Sequence, residues 1–360
     1  MIAIHQFVPT VTRRDAIGHH VLELRDVIRS LDVASEIFAV EVHSNLDHEV
    51  RPYQEYTASD GPTALLYHAA TTSVLAEFLM RRPEPKVVDY HNITPARFFT
   101  GWDPGHAVAV RDARREIAAI VRTADLVFTH SRFSGRDVEA WGYSNPIVAP
   151  VLGATFLDPA VVDDGVPAVA KDPVRGRNAV WLFVGRLAPN KAQEQLIKAL
   201  AIFRRTYALP AELHLVGSAT PPAYRDALVR LAAAAGVADA VHFHEAVPGE
   251  DLATMYRTAD VFVSASAHEG YCVPVVEAMR FGLPVVARAA GAVPETSGGA
   301  AVLVPGDSAS TLAVAVHRVL DEPALAGRLA AAGRARAAVL MTQERDSYRD
   351  GLRALVEKMT

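Results

Sequence analysis

Short apolar runs rich in β-branched residues alternate with longer stretches whose apolar positions recur every three or four residues, from one end of the chain to the other. The first pattern reads as buried strands and the second as amphipathic helices, which together predict parallel sheets covered by helices. In the first half, strands are expected near Ile2–Val8, Glu36–Val42, Ala64–His68, Lys86–Tyr90, Leu126–His130 and Ile147–Val148. Helices are expected over Gly18–Ser30, Thr72–Arg81, His106–Arg122 and Ser131–Trp141. Around Leu157–Asn178 the composition shifts to proline, glycine and aspartate, which argues for a linker and a natural hinge. The alternation then restarts, with strands near Val180–Val184, Glu212–Val216, Val241–His244, Val261–Val263, Pro284–Ala287 and Ala301–Val304. A helical end, Thr342–Lys358, follows a Gly/Ala/Arg-rich segment. The expected fold class is α/β, with two Rossmann-like doubly wound domains at residues 1–165 and 166–341, facing a cleft.

Composition narrows the function classes. At 360 residues two domains of ordinary size are expected, and 50% hydrophobic with 21% charged residues is globular. A net charge of −5 supplies no basic field for nucleic acid. The single cysteine forms no internal disulfide, which fits a reducing, cytoplasmic setting. The opening M-I-A-I-H-Q-F-V lacks the basic flank of a signal peptide, and no apolar run approaches the ~18 residues of a membrane span. Peripheral contact with a membrane's cytoplasmic face needs only a patch and stays open.

The chemistry concentrates in two segments. In S-A-S-A-H-E-G-Y-C-V-P-V-V-E-A-M, residues 264–279, a strand runs into a loop carrying Glu269. A helix then begins near Pro274 and carries Glu277. Between the two acids, Gly270, Tyr271, Cys272 and Val273 can bring backbone N–H groups close to a ligand, and a helix N-terminus attracts anions. Carboxylates beside an anion site make sense if they accept hydrogen bonds from hydroxyls attached to that anion, as in a sugar nucleotide. The second segment, A-V-W-L-F-V-G-R-L-A-P-N-K at 179–191, ends a strand on Gly185, Arg186 and Lys191. An arginine fork and a mobile lysine charge suit a diphosphate.

Gly185-Arg186-Leu187 through Lys191, followed by Glu269 and Glu277, resembles the donor site of retaining glycosyltransferases of family 4, the glycosyl transferases group 1 with the GT-B fold. Asp15 to Val21, with Gly18, His19 and His20, looks like the glycine-bearing loop after that family's first strand. Tyr90-His91-Asn92-Ile93-Thr94-Pro95 looks like its strand end bearing an active-site histidine. Two positions depart from the pattern: Ala192 and Cys272 stand where glycine is frequent. The resemblance implies that Glu269 holds a hydroxyl of the transferred sugar and Glu277 the ribose hydroxyls. It implies that His91 contacts the donor sugar or the acceptor hydroxyl, with His19 and His20 weaker candidates for the acceptor side. By position in the fold, Gly217 approaches the nucleotide and His244 through Val247 walls the base. The last helix, residues 342–360, is expected to cross back onto the first domain.

No D-x-D pair occurs, so a catalytic metal is not expected, and the dinucleotide glycine fingerprint is missing. No cofactor is expected beyond the substrate, a UDP- or GDP-type sugar; acceptors of this class are glycans, lipid-linked or small molecules, without nucleic acid. The expected reaction is transfer with retention, metal-independent, by front-face attack. The alternatives are a non-catalytic nucleotide-sugar-binding subunit and a nucleotide-sugar epimerase on the same fold.

Overall fold

The structure is a computed structural model that describes residues 2–12, 16–42, 46, 48–58, 60–153, 177–245 and 247–360. The expected linker therefore lies, through residue 176, outside the described residues. Contacts divide the chain into two units: Met1–Ala96, Gly105–Phe156 and Leu340–Thr360 form the first, Arg97–Pro104 and Leu157–Val339 the second.

The first unit is built on β1 (Ala3–Val11), β2 (Ile37–Val42), β3 (Val50–Pro52), β4 (Thr63–Ala69), β5 (Lys86–Tyr90), β6 (Leu126–Thr129) and β7 (Ile147–Val148). They form one parallel sheet in the order β3-β2-β1-β4-β5-β6-β7. Its helices are α1 (Ala16–Arg29), α2 (Val74–Met80), α3 (Pro104–Val121) and α4 (Arg132–Ala140). Serines start two of them, Ser73 accepting from Leu75 N and Ser131 from Ser134 N, which satisfies backbone donors the helix cannot.

The second unit holds β8 (Ala179–Val184), β9 (Ala211–Val216), β10 (Val241–His244), β11 (Val261–Ser264), β12 (Val285–Arg288) and β13 (Ala301–Val304). Its sheet is also parallel, in the order β10-β9-β8-β11-β12-β13. Helices α5 (Gln193–Tyr207), α6 (Pro222–Ala234), α7 (Gly249–Thr258), α8 (Val273–Arg280), α9 (Val293–Ser297) and α10 (Ala309–Asp321) follow its strands. The core is made by buried strand residues such as Trp181 and Leu213 meeting Leu196, Phe203 and Val316 from the helices. Both sheets thus have the doubly wound order, with the switch point between β1 and β4 in one and between β8 and β11 in the other. Ligands of open α/β sheets bind beyond the strand ends at that point.

Three differences from the sequence reading have a physical reason. β1 continues through Pro9 to Val11, because beyond Phe7 it pairs only with β2 and the missing N–H of Pro9 faces no partner in β4. β3 escaped notice, being three residues long and ending in proline at the sheet edge. The Gly/Ala/Arg-rich stretch is not a connection: it forms one helix, α11 (Pro323–Met359), with the chain end. Alanine favours helix, and Gly333 sits flush against Met279, where a Cβ would lie 3.2 Å from the Met279 side chain.

Candidate functional site

The loops after β8 and β11 leave adjacent strands of the second sheet at its switch point, so residues 78 positions apart meet. Ala267 N donates to Asn190 O at 2.8 Å, and the Asn190 amide donates to His268 O at 3.4 Å. This stitching carries Lys191 Nζ to both carboxylate oxygens of Glu269, each at 2.8 Å. The pair is largely sheltered, with side chains 20% and 8% exposed. Gly185 and Gly217 lie side by side at their strand ends, both at positive φ, and a Cβ on Gly217 would stand 2.3 Å from Gly185 O. The Arg186 guanidinium is exposed, and its backbone carbonyl accepts from Gln193 Nε2 at 2.9 Å.

Cys272 caps α8 in the left-handed conformation (φ 73°, ψ 65°), and no side chain satisfies the helix end. Helix α8 thus begins at Val273, with Pro274 second rather than first. The buried Cys272 thiol is pushed well up by desolvation and by the Glu269 carboxylate, which leaves it inert as a nucleophile. Gly270 and Tyr271 complete the turn, with Tyr271 O accepting from Thr296 Oγ1 at 2.6 Å. Glu277, expected to face ribose, is 1% exposed on α8, and its Oε2 accepts from the buried Tyr256 hydroxyl at 2.7 Å. Val247 lies just past β10, ahead of α7.

Two residues here were missed in the sequence. Tyr256 sits on α7, and nothing in its local pattern points at Glu277. Gly291 follows β12 at φ 58°, where a Cβ would lie 2.4 Å from Glu269 O, and Ala292 N donates to that carbonyl at 3.0 Å. The A-A-G-A-V-P turn after a strand was the available signal.

The two departures from glycine acquire a cost. Ala192 (φ 52°) and Cys272 (φ 73°) are both left-handed, a conformation that disfavours side chains. Ala192→Gly is expected to stabilise the protein by about 0.5–1 kcal/mol, after the greater freedom glycine brings to the unfolded chain. Urea unfolding of the two proteins checks this, and a lower midpoint for the glycine variant would contradict it.

In the first unit the switch-point residues form a buried polar cluster around Asp89. His20 Nδ1 accepts from Leu152 N at 3.0 Å, so its proton lies on Nε2, which donates to Asp89 Oδ2 at 2.6 Å. The Tyr348 hydroxyl of α11 donates to the same carboxylate at 3.1 and 3.2 Å. His91 bridges two further imidazoles, its Nε2 lying 3.1 Å from His68 Nδ1 and its Nδ1 3.0 Å from His130 Nε2. His68 Nε2 continues to Gln6 Oε1 at 2.8 Å and His130 Nδ1 to Ala149 O at 3.2 Å. Four of these residues, His20, His68, Asp89 and His91, have ligand atoms close enough to hold an ion. Hydrogen bonding among themselves already engages those atoms, as in a chain of imidazoles that switch tautomers.

This geometry corrects two expectations. His20 is buried and bonded to Asp89, so it does not face an acceptor. Gly18 lies inside α1, as the helical reading of Gly18–Ser30 has it and not in the loop that the resemblance implies. A Cβ there would stand 1.7 Å from Thr12 O, so its lack of a side chain serves the close approach of α1 to the residue after β1. Asp15, at the head of the same motif, lies outside the described residues.

Comparison with known proteins places this architecture. The fold is the GT-B fold, two Rossmann-like domains: sucrose-phosphate synthase from Thermosynechococcus elongatus superposes with a TM-score of 0.72 at 20% identity over 99% of both chains. HepE of Anabaena in complex with UDP gives 0.71 at 17% identity, covering 99% of this chain and all of that one. Residues 168–336 match the family model "Glycosyl transferases group 1". A D-inositol 3-phosphate glycosyltransferase of Streptomyces griseus is 37% identical over 163 residues, 43% of this chain and 34% of its own length. A GDP-mannose-dependent alpha-(1-6)-phosphatidylinositol monomannoside mannosyltransferase of Mycolicibacterium smegmatis is 31% identical over 242 residues, 62% of this chain and 60% of its own length. The match thus spans between about a third and three fifths of these relatives. Among the described residues no helix is long and apolar enough to cross a membrane.

Proposed function

We propose that the protein transfers a sugar from a nucleoside-diphosphate sugar to an acceptor hydroxyl, retaining the anomeric configuration and using no catalytic metal. The observation that carries this reading is the Lys191–Glu269 pair at the switch point, between the Gly185-Arg186 strand end and the uncapped start of α8. Arg186 and Lys191 supply the positive charge that a departing diphosphate needs, a role that a metal otherwise fills. Glu269 accepts a sugar hydroxyl while Lys191 fixes its orientation, and Glu277, oriented by Tyr256, accepts from ribose. Gly185 and Gly217 let the backbone approach the nucleotide, with Val247 beside the base.

A carboxylate whose two oxygens share one ammonium is a weakened nucleophile, which favours front-face attack over a covalent intermediate on Glu269. In that step the bond from the anomeric carbon to phosphate oxygen breaks, and the bond to the acceptor oxygen forms on the same face. The acceptor's proton passes to the leaving phosphate oxygen. A glycosyl adduct trapped on Glu269 would overturn this mechanism. His91 is held at both ring nitrogens by His68 and His130, so a hydrogen bond to the donor sugar or acceptor requires it to release one of them. The named substrates of the relatives favour a sugar or polyol hydroxyl as acceptor, reached in the cytoplasm or at the inner membrane face.

The test is thermal-shift binding of UDP, GDP, ADP, dTDP and NAD to wild type and to Arg186→Ala. A ligand at 100 times its Kd stabilises the native state by about 2.7 kcal/mol, so a selective diphosphate reads out directly. One nucleoside diphosphate is expected to raise the Tm of wild type and barely that of the variant. No shift with any diphosphate would remove the donor-site reading.

A further inference from the structure

Away from the switch point, the edge of the second sheet gathers four chemistry-bearing side chains on one face. β10 is the outermost strand, and its register sets His242 directly opposite His214 of β9. Glu212 precedes His214 by two residues and His244 follows His242 by two, so strand alternation turns all four the same way. Glu212, His214 and His242 have no part in the proposed sugar-transfer machinery, and His244 enters it only as the first residue of the segment expected to wall the base.

Their spacing is informative. Glu212 Oε2 lies 3.7 Å from His214 Nε2 and 3.5 Å from His242 Nε2, too long for good hydrogen bonds. Ligand atoms of a tetrahedral site with metal bonds of about 2.0–2.1 Å stand roughly 3.3–3.4 Å apart, so these separations suit three ligands of one ion. One ligand atom from each of the three residues lies within 4.8 Å of the others. His242 Nε2 is shielded from solvent and has no hydrogen-bond partner, the state of a nitrogen whose partner is a ligand not drawn from the protein.

The surroundings orient the set. The Asn178 amide donates to Glu212 Oε1, which leaves Oε2 turned toward the imidazoles. His214 Nδ1 lies 3.0 Å from His244 Nε2, so a proton on Nδ1 donates to His244 and frees Nε2 as a lone-pair donor. Outer hydrogen bonds that fix a carboxylate oxygen and an imidazole tautomer are what metal ligands require. The side chains are 23–39% exposed, so an ion can enter and water can complete its shell.

We propose that Glu212, His214 and His242 bind one divalent transition-metal ion of the zinc type. Two imidazoles and one carboxylate suit zinc and its first-row neighbours, and do not suit the all-oxygen shells of calcium or magnesium. The ion staples edge strand β10 to β9, and it is independent of the sugar-transfer reading.

The experiment is titration of the untagged, chelator-treated protein with ZnCl2 against a chromophoric chelator, together with the absorption spectrum of the CoCl2-loaded protein. One equivalent of Zn2+ is expected, with the intense visible bands of four-coordinate Co2+. His214→Ala, His242→Gln and Glu212→Gln should each weaken binding at least ~100-fold, and Asn178→Ala about 10–100-fold through loss of orientation. The His242→Gln change lies at an exposed edge and its circular dichroism should match wild type, so loss of binding there is not loss of fold. No stoichiometric binding, or binding that survives His242→Gln and His214→Ala, would overturn the proposal; the second outcome would assign the ion to the Asp89 cluster.

Discussion

Lys191→Ala should lower the rate of sugar transfer by about 10²–10³-fold, with kcat falling more than KM rises. The reason is where charge develops. As the glycosidic bond breaks, negative charge grows on the leaving diphosphate, and a positioned cation stabilises that state more than the ground state. The same substitution strips the partner from Glu269, whose side chain is only 8% exposed. Removing one member of a sheltered ion pair strands the other, so a stability loss of about 2–3 kcal/mol is expected as well. Lys191→Arg separates the two effects. It restores the charge and rescues stability, while its fork places the charge differently and recovers only part of kcat. Steady-state kinetics and urea melts on both variants decide the matter. Lost stability with an unchanged kcat would make the pair a structural clamp and no more.

The parts of this site that were legible are those whose signal is local. Lys86–Tyr90 and Val241–His244 are read to the residue because a short apolar or alternating run between turn signals has one interpretation. Glu269 and Lys191 could be singled out because each lies on the loop that follows a strand, and the strand ends at a switch point are where ligands gather. Their direct ion pair followed from topology and not from spacing. The Asp89 cluster is illegible for the same reason: His20 and Tyr348 reach Asp89 across 69 and 259 residues of sequence. The hint was Asp89 itself, a carboxylate interrupting an otherwise apolar strand, since a buried charge needs partners somewhere in the fold. The conformational facts were equally hidden. Nothing in the letters Ala192 or Cys272 reveals a positive φ, although their contrast with the family's glycines marks both positions.

Stability should fall on mild acidification, from below about pH 6.5, through the histidines of the Asp89 cluster. Burial pushes His68 down to about 3, and desolvation likewise holds His91 and His130 below their ordinary value, against the pull of Asp89. In the unfolded chain each imidazole titrates near 6.5. Between that value and the folded one, the unfolded state binds a proton that the folded state refuses, so stability falls as pH falls. His68 costs about 1.4 kcal/mol per pH unit over that window, and His91 and His130 add to it in the same direction. By pH 5 the loss from His68 alone is about 2 kcal/mol, a sizeable part of the stability of an ordinary domain. Asp89 acts later and in the same direction. Burial alone would raise its carboxyl, but His130, His20 and His91 hold it well below the usual carboxylate range. Its contribution is therefore present above an unfolded value of about 3.9 and fades only below it. Tm measured from pH 8 to 4.5 should be nearly flat above 7 and drop steeply between 6.5 and 5. His68→Gln, which keeps a polar group beside Gln6 and removes one titration, should make that drop shallower. A Tm independent of pH between 7 and 5 would mean that the imidazoles accept protons without cost, and that Asp89 is the counter-ion of a charged chain.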